Sequence, residues 1–363
     1  MPRQDAENPV SAEKIVAEDP IAAALSPFWR GGAMSETVLF IRDEPGARPK
    51  AKLLFAADSI SRLTNATRDT AFDPGRDYLW NAGERELSLP EGSSIPFKTL
   101  DQLKILSPAN APDDPQGFHN LQVEVTYASA PGQWNAYVPA LAEAELPRTL
   151  AKLHAKQPLG ILLVGDSISE GLGSSAYMKV PPHLPAYGEQ VAKGLERAYG
   201  GSIEFNNAAQ AGRTALWGAM QAAQERLGAR RPDLAIVAFG MNDVAFSMIR
   251  SEFTSALYGN AIRAIVGTIR QESPDTEFIL VASMLGNSAA GLWPAERFPL
   301  YRDEIKRLVG PGIALADMTA VWQELLKRKS FFDAIFNGVN HPNDYGHRLY
   351  AQTILGLLAE PTV

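Results

Sequence analysis

The run Ile161-Leu162-Leu163-Val164, followed directly by Gly165-Asp166-Ser167, constrains the fold of this chain most strongly. Four consecutive aliphatic residues are too few for a buried helix, and they are typical of a strand covered on both faces, as in a parallel sheet. Ser167 follows the carboxyl end of this strand, at the edge where open α/β sheets bind their ligands. The sequence therefore places a serine hydroxyl where a substrate would lie, although a strand-to-helix turn capped by serine explains the stretch equally well.

After Gly160, short apolar runs alternate with segments of helical composition and spacing. This alternation is typical of a parallel sheet with helices on both faces, so we predict an α/β fold for residues 159–363. A last helix is expected after Pro342-Asn343-Asp344, which forms a start signal. The predicted strands are 161–164, 203–205, 234–239, 278–283 and 313–316, and the predicted helices between them are 186–199, 216–227, 253–269, 297–308 and 321–329.

The region before this domain has a β-like sequence. Apolar runs at 38–41 and 53–55 are separated by turn clusters, and the alternation from Leu121 to Tyr127 is the period of a half-buried strand. We predict a smaller β-sandwich-like accessory domain over residues 35–145, preceded by an N-terminal arm over 1–34 and followed by a connection over 146–158. Aromatic residues such as Trp80 and Trp134 are compatible with stacking on sugar rings, or with packing in a core or at a domain interface.

Composition narrows the range of partners. The net charge of −7 and the scattered lysines and arginines argue against nucleic acid and anionic membranes as partners. No apolar run approaches the roughly 20 residues of a membrane helix, and residues 1–20 lack the apolar core of a signal peptide. We therefore expect a cytoplasmic protein, or an exported one whose leader has been removed. The oligomeric state is left open.

Neither a cofactor nor a metal site is predicted. The absence of cysteine excludes disulfides, thiolate metal sites and a cysteine nucleophile. Residues 171–176 fit the pattern G-x-G-x-x-A, but they begin several residues beyond the strand, so the tight turn onto a pyrophosphate is missing. His341 and His347 straddle the start of the last predicted helix, a placement that does not suit a zinc pair.

Three further polar stretches follow elements of the predicted sheet. Gly212 lies after the second strand, Asn242 after the third, and His341 in the loop before the last helix. Ester hydrolysis by a hydroxyl requires a nucleophile, a base and donors aimed at the developing oxyanion. Ser167 would supply the hydroxyl, His341 the base, and the N–H groups of Ser167 and Gly212 the donors, together with the Asn242 amide. Gly212 is expected to let the backbone approach the substrate closely.

These stretches resemble the SGNH hydrolase superfamily, also called GDSL esterases. The match consists, in the family's order, of Gly165-Asp166-Ser167, Gly212, Gly240-Met241-Asn242-Asp243 and His341-Pro342-Asn343. It extends over about residues 159–358, and it implies a flavodoxin-like three-layer α/β/α fold. It also implies that Ser167 is the nucleophile, His341 the general base, and Ser167, Gly212 and Asn242 the oxyanion donors.

The activity implied by the resemblance is metal-free hydrolysis of short-chain acyl esters, acetyl esters above all, through an acyl-serine intermediate. The substrate would be a small molecule or a saccharide carrying such an ester. Two alternatives are an acyltransferase that uses the same site and an inactive carbohydrate-binding or scaffold protein that has kept the fold.

One position departs from the family's pattern. An aspartate usually stands three residues before the histidine and orients its ring, but Gly338 occupies that position here. Asn337 and Asn340 are close by, and Asp333 is farther away. The acid is therefore missing, replaced by a backbone carbonyl or an asparagine, or supplied by Asp333. We favour a Ser-His dyad with a neutral orienting group, which stabilises the imidazolium less than a carboxylate would.

Overall fold

The computed structural model describes residues 19–103 and 118–360. The strands in these residues form two sheets, one in the N-terminal part of the chain and one in the C-terminal part. Most of the predicted N-terminal arm, residues 1–18, lies outside the described residues. The part of the arm that is described includes helix α1 (Pro20–Leu25), which is capped by Asp19. This helix packs against the helices Tyr187–Tyr199 and Asp344–Leu358, so it is docked on the C-terminal domain.

The N-terminal sheet is curled, and strand β1 (Gly32–Arg42) takes part in both of its halves. The first part of β1 pairs antiparallel with β6 (Gln122–Ser129), which pairs in turn with β3 (Ser59–Asn65). The end of β1 pairs with the short strands β2 (Lys50–Lys52) and β5 (Phe97–Thr99), and β4 (Glu86–Ser88) extends the sheet beyond β2. A short helix, α2 (Leu100–Leu103), follows β5. The smaller β-rich unit expected beside the α/β domain is therefore present.

Two details of this unit differ from the sequence prediction. The run 53–55 is buried but is not a strand, because side chains satisfy its backbone: Leu54 N–H donates to Glu36 Oε1 (2.7 Å) and Phe55 N–H to the Tyr127 hydroxyl (3.3 Å). Strand β6 is also not half-buried as predicted, since Gln122 and Glu124 are buried as well. Gln122 donates to the carbonyl of Ile335 (2.8 Å) in the C-terminal domain, whereas Glu124 pairs with Arg68 (2.7 Å) within the accessory unit.

The C-terminal sheet has the strand order β11-β10-β9-β7-β8, and all its pairs are parallel. Its strands are almost entirely buried, except for the edge strand β8, because helices cover both faces. Each strand lies within one or two residues of its prediction. The strands are β7 (Leu159–Gly165), β8 (Ile203–Asn207), β9 (Leu234–Ala238), β10 (Glu277–Ala282) and β11 (Ile313–Asp317).

The helices pack in two groups, one containing α5 and α11 and the other α6, α8 and α9. The predicted three-layer α/β/α fold is therefore confirmed. In the connection, only the segment that begins at Pro147 is helical. The helices are α3 (Pro147–His154), α4 (Ser167–Glu170), α5 (Tyr187–Tyr199), α6 (Ala215–Gln224), α7 (Met241–Ser247), α8 (Ser255–Glu272), α9 (Phe298–Lys306), α10 (Met318–Arg328) and α11 (Asp344–Leu358). Over residues 19–103 and 118–360, none of the helices combines the length and apolarity needed to cross a membrane.

Buried charged groups join the accessory sheet to the C-terminal domain. The ammonium of Lys329 pairs with the carboxylate of Glu36 on β1, and both side chains are completely buried. Lys329 also donates to the carbonyl of Lys52 (3.0 Å), and Glu36 accepts from the Tyr127 hydroxyl (2.6 Å). Ions are costly to bury without a partner, so Glu36 depends on the C-terminal domain for its counterion, whereas Lys329 also lies 3.4 Å from the carboxylate of Asp333.

The two tryptophans singled out in the sequence lie in different environments. Trp134 is buried and packs edge-on against Phe28, with ring centroids 4.8 Å apart, so it belongs to the core. Trp80 is half-buried beside a groove of about 650 Å³, and its ring N–H donates to the carbonyl of Glu84 (3.0 Å). Sugar stacking on Trp80 stays a prediction, whereas the ring of Trp134 is occupied by protein contacts.

Candidate active site

The hydroxyl of Ser167 and the ring of His341 are in direct contact: Ser167 Oγ lies 2.8 Å from His341 Nε2. Ser167 is the first residue of α4, immediately after β7, and Asp166 caps this helix by accepting from Ile168 N–H (3.0 Å). His341 lies in the loop before α11. The two residues are 174 positions apart in the chain, so the fold creates this pair.

The segment that follows Ser167 is tied to the loop that carries His341. Gly173 makes the approach possible, because a Cβ there would lie 2.1 Å from the carbonyl oxygen of Pro342. Ser175 N–H donates to the Asp344 carboxylate (2.8 Å), which adds a second connection. The segments that follow Ser167 and His341 are therefore held together by one close backbone approach and one hydrogen bond to a side chain.

His347 is a buried structural residue. Its Nε2 donates to the carbonyl of Leu172 (3.1 Å), and its Nδ1 accepts from Tyr187 N–H (3.4 Å). Both ring nitrogens thus bond to backbone groups, and burial lowers the pKa of His347 to about 4. In the described residues, no group of three or more histidine, aspartate or glutamate side chains is arranged to hold a metal ion.

The Gly212 segment lies against the start of α4. Gln210 N–H donates to the carbonyl of Gly165 (3.1 Å), and Ala211 N–H donates to the Glu170 carboxylate (2.5 Å). No protein atom lies within 4 Å of a Cβ placed at Gly212, and the close approach of its backbone to a substrate stays a prediction. Its φ of +75° is what favours glycine, because side chains are disfavoured in the left-handed region.

Asn242 connects the third polar stretch to the second. It lies in the first turn of α7, and its Nδ2 donates to the carbonyl of Arg213 (2.9 Å). An amide nitrogen carries two hydrogens, so this bond orients the group and leaves a second donor. The N–H of Ser167, in the first turn of α4, has no carbonyl partner within its own helix. The segments of all three predicted donors therefore lie at the carboxyl edge of the sheet.

Two buried carboxyl groups hold the loops of this edge. Asp243 accepts from Ala215 N–H at the start of α6 (3.0 Å and 3.2 Å to its two oxygens), and Asp166 caps α4. Burial raises the pKa of each carboxyl to about 7. Both carboxyl groups accept hydrogen bonds from backbone N–H groups, so they hold the loops in place.

Asn337 is the group that contacts the far side of the histidine ring. Its Nδ2 lies 2.9 Å from His341 Nδ1. Asp333 is directed elsewhere: its carboxylate accepts from Leu39 N–H on β1 (2.8 Å) and from Ser330 N–H (3.1 Å). Among the orienting groups considered from the sequence, the structure brings Asn337 to the imidazole and places Asp333 at the domain interface.

Burial also determines the charge of the histidine. It lowers the pKa of His341 to about 4, so the imidazole is neutral near pH 7. A neutral imidazole can accept a proton, as a general base must. A hydroxyl and a neutral imidazole in contact, with amide donors on segments at the same edge of the sheet, have the composition of an acyl-transfer site.

The contacts that join Asn343, near His341, to the accessory sheet have no signal in the sequence. Asn343 was recognised as a helix-start residue, and its Oδ1 does cap α11 by accepting from Gly346 N–H (3.0 Å). Its Nδ2 also donates to Thr37 Oγ1 (3.0 Å) and to Gln122 Oε1 (2.9 Å) in the accessory sheet. Both partners are more than 200 residues away in the chain, so no local pattern predicts these bonds.

Residues 163–349 match the family described as GDSL-like Lipase/Acylhydrolase. No curated protein matches the chain in sequence. Similar solved structures include a two-domain esterase (CEX) active on acetylated mannans, with 20% identity and a TM-score of 0.47 over 60% of this chain and 52% of that one. Axe2, an acetylxylan esterase from Geobacillus stearothermophilus, has 19% identity and a TM-score of 0.44 over 56% of this chain and 94% of that one. The chain thus covers about half the length of the two-domain esterase.

Proposed function

The chain belongs to the GDSL-like lipase/acylhydrolase family, whose match covers just over half of it, and on this premise we propose that it is a serine esterase. The proposed reaction is hydrolysis of short-chain acyl esters, acetyl esters of saccharides above all, through an acyl-serine intermediate. The observation that carries the proposal is the contact of 2.8 Å between Ser167 Oγ and His341 Nε2. It joins a hydroxyl at the edge of the sheet to a neutral base.

In the first half of the proposed reaction, Ser167 Oγ attacks the acyl carbon while its proton passes to His341 Nε2. The N–H groups of Ser167 and Gly212 and the amide of Asn242 donate to the oxyanion as charge develops on it. The tetrahedral intermediate collapses, the C–O bond to the alcohol breaks, and the alcohol leaves with the proton held by His341. An acyl-serine remains.

In the second half, water attacks the acyl carbon and gives a proton to His341. Collapse of the second intermediate breaks the bond to Ser167 Oγ, which regains its proton from His341. The products are the free acid and the alcohol. If a second alcohol took the place of water, the same steps would give an acyl transfer.

Exposed polar residues beside the pair support a hydrophilic substrate. Gln210 and Arg213 lie within two residues of Gly212 and are exposed, and the half-buried Glu170 accepts from the Tyr177 hydroxyl (2.8 Å). Such groups suit the hydroxyls of a saccharide better than a long acyl chain.

The test is a series of p-nitrophenyl esters from acetate to decanoate, run beside acetylated xylan and acetylated monosaccharides. The native protein and Ser167→Ala are compared. We expect turnover to be highest for acetate, and we expect acetate release from the saccharides to require Ser167. Equal rates for the two proteins on every ester would reject the proposal. Addition of an alcohol acceptor distinguishes transfer from hydrolysis, because transfer yields a new ester in place of acetate.

A further inference from the structure

The side-chain amide of Asn337 has only one acceptable orientation. Its Oδ1 accepts from three backbone N–H groups, those of Val339 (3.0 Å), Asn340 (2.9 Å) and His341 (3.0 Å). Exchange of the amide oxygen and nitrogen would place an NH₂ group against three donors. The oxygen must therefore lie on the backbone side, and the nitrogen on the side of the histidine ring.

The nitrogen of this amide has two acceptors. Nδ2 lies 3.1 Å from Asn340 Oδ1 and 2.9 Å from His341 Nδ1. An amide NH₂ group can only donate, so each hydrogen is directed to one of these atoms. His341 Nδ1 is then an acceptor, and a neutral imidazole whose Nδ1 accepts carries its proton on Nε2.

This tautomer determines the direction of the hydrogen bond between His341 and Ser167. Nε2–H faces Ser167 Oγ at 2.8 Å, so the hydroxyl accepts a hydrogen bond from the ring. A general base at this position needs an unprotonated Nε2. The productive tautomer carries its proton on Nδ1. That N–H would face the NH₂ group of Asn337, so the hydrogen bond between Asn337 Nδ2 and His341 Nδ1 would be lost. In a Ser-His-Asp enzyme, replacing the aspartate by asparagine keeps the geometry but lowers kcat about 10⁴-fold, because the histidine takes the wrong tautomer.

We propose that Asn337 is a positioning residue that holds His341 in the Nε2–H tautomer, so that the native site works well below the rate its geometry would allow. The proposal rests on the proposed function in that Ser167 and His341 are the reacting pair. The effect of Asn337 is opposite to that of the usual orienting acid, because its amide stabilises the resting Ser167–His341 pair and opposes proton uptake by His341 Nε2.

Asn337→Asp is the direct test. One oxygen of the aspartate can keep the three backbone bonds, and the other can accept from His341 Nδ1–H. The Asn340 amide must then turn so that its nitrogen, and not its oxygen, faces the new carboxylate. We expect kcat for p-nitrophenyl acetate to rise by about 10²- to 10⁴-fold, with KM within about threefold of the native value. The matched control is Asn340→Asp, which adds the same charge to the same loop and keeps an oxygen that accepts from Asn337. It should change kcat less than tenfold.

A second readout does not depend on turnover. The ¹⁵N and ¹H shifts of the His341 ring distinguish its tautomers in the full-length protein, and His341→Gln identifies the resonances. We expect Nε2–H in the native protein and Nδ1–H in Asn337→Asp. A native protein with Nδ1–H would overturn the proposal even if the esterase is active. A folded Asn337→Asp whose kcat stays within tenfold of the native value would also overturn it.

The same readout separates the two proposals. If neither protein hydrolyses any ester while the native ring shows Nε2–H, the proposed function fails and the assigned tautomer stands. If Asn337→Asp does not fold, the tautomer of the native protein decides the question by itself.

Discussion

Asn343 Nδ2 donates a hydrogen bond of 3.0 Å to Thr37 Oγ1, although the two residues are 306 positions apart. Thr37 lies on β1 of the accessory sheet, and Asn343 follows His341 by two residues. The accessory sheet therefore helps to hold the loop that carries the histidine. This arrangement favours a structural role for the N-terminal unit in the hydrolase, whether or not it also contacts a substrate.

Asn343→Asp should separate the capping role of this residue from its role at the interface. The carboxylate can still accept from Gly346 N–H, but it cannot donate to Thr37 or Gln122. Because buried acceptors then face a buried carboxylate, we expect the free energy of unfolding to fall by about 1–3 kcal/mol, with a lower kcat. Urea denaturation and ester turnover measure the two effects. Asn260→Asp, on the exposed face of α8, is the control and should change stability by less than about 0.5 kcal/mol.

Asp333→Asn should affect stability and leave catalysis nearly unchanged. The carboxylate of Asp333 accepts from Leu39 and Ser330 N–H groups and lies 3.4 Å from the ammonium of Lys329. An amide can accept through only one atom, so one buried donor loses its partner, at a cost of about 1–3 kcal/mol. We expect kcat within tenfold of the native value. A loss near 10⁴ in a folded variant would instead identify Asp333 as the acid of a triad.

Asn242→Ala should slow the chemical step. If this amide donates to the oxyanion, its removal should lower kcat by about 10²–10³, equivalent to about 2.7–4 kcal/mol. Steady-state kinetics on p-nitrophenyl acetate separates kcat from KM. A higher KM at an unchanged kcat would show that Asn242 binds the substrate and does not stabilise the oxyanion.

The pH profile of kcat/KM should show an acid limb near pH 4. Burial lowers the pKa of His341 to about 4, so the neutral form is present above that pH and is lost as the pH falls through it. Protonated imidazole cannot take a proton from Ser167. We therefore expect the acid limb to lie well below the ordinary histidine value of about 6.5, and a limb at 6–7 would contradict the burial argument.

Much of the C-terminal fold was predictable, because buried parallel strands are continuous aliphatic runs such as Ile161-Leu162-Leu163-Val164. The accessory sheet was harder, since its contacts are between residues distant in the chain. Leu54 and Phe55 resemble a strand, but the side chains of Glu36 and Tyr127 satisfy their backbone.

The site residues were likewise predictable only where the signal is local. Local motifs contain four of them, and these could be predicted from the sequence: Ser167, Gly212, Asn242 and His341. The orienting group was not determined by the sequence, because Asn337 is one residue away from the expected position. Only the folded loop shows that its amide nitrogen faces the imidazole.

Labelling with a fluorophosphonate, followed by mass spectrometry of the labelled peptide, tests the central claim most directly. The reagent reacts with an activated serine and forms a stable adduct, so it reports the nucleophile without a known substrate. We predict one adduct, on Ser167, and none in Ser167→Ala under the same conditions. An adduct on another serine, or equal labelling of the two proteins, would contradict the assignment of Ser167 as the nucleophile.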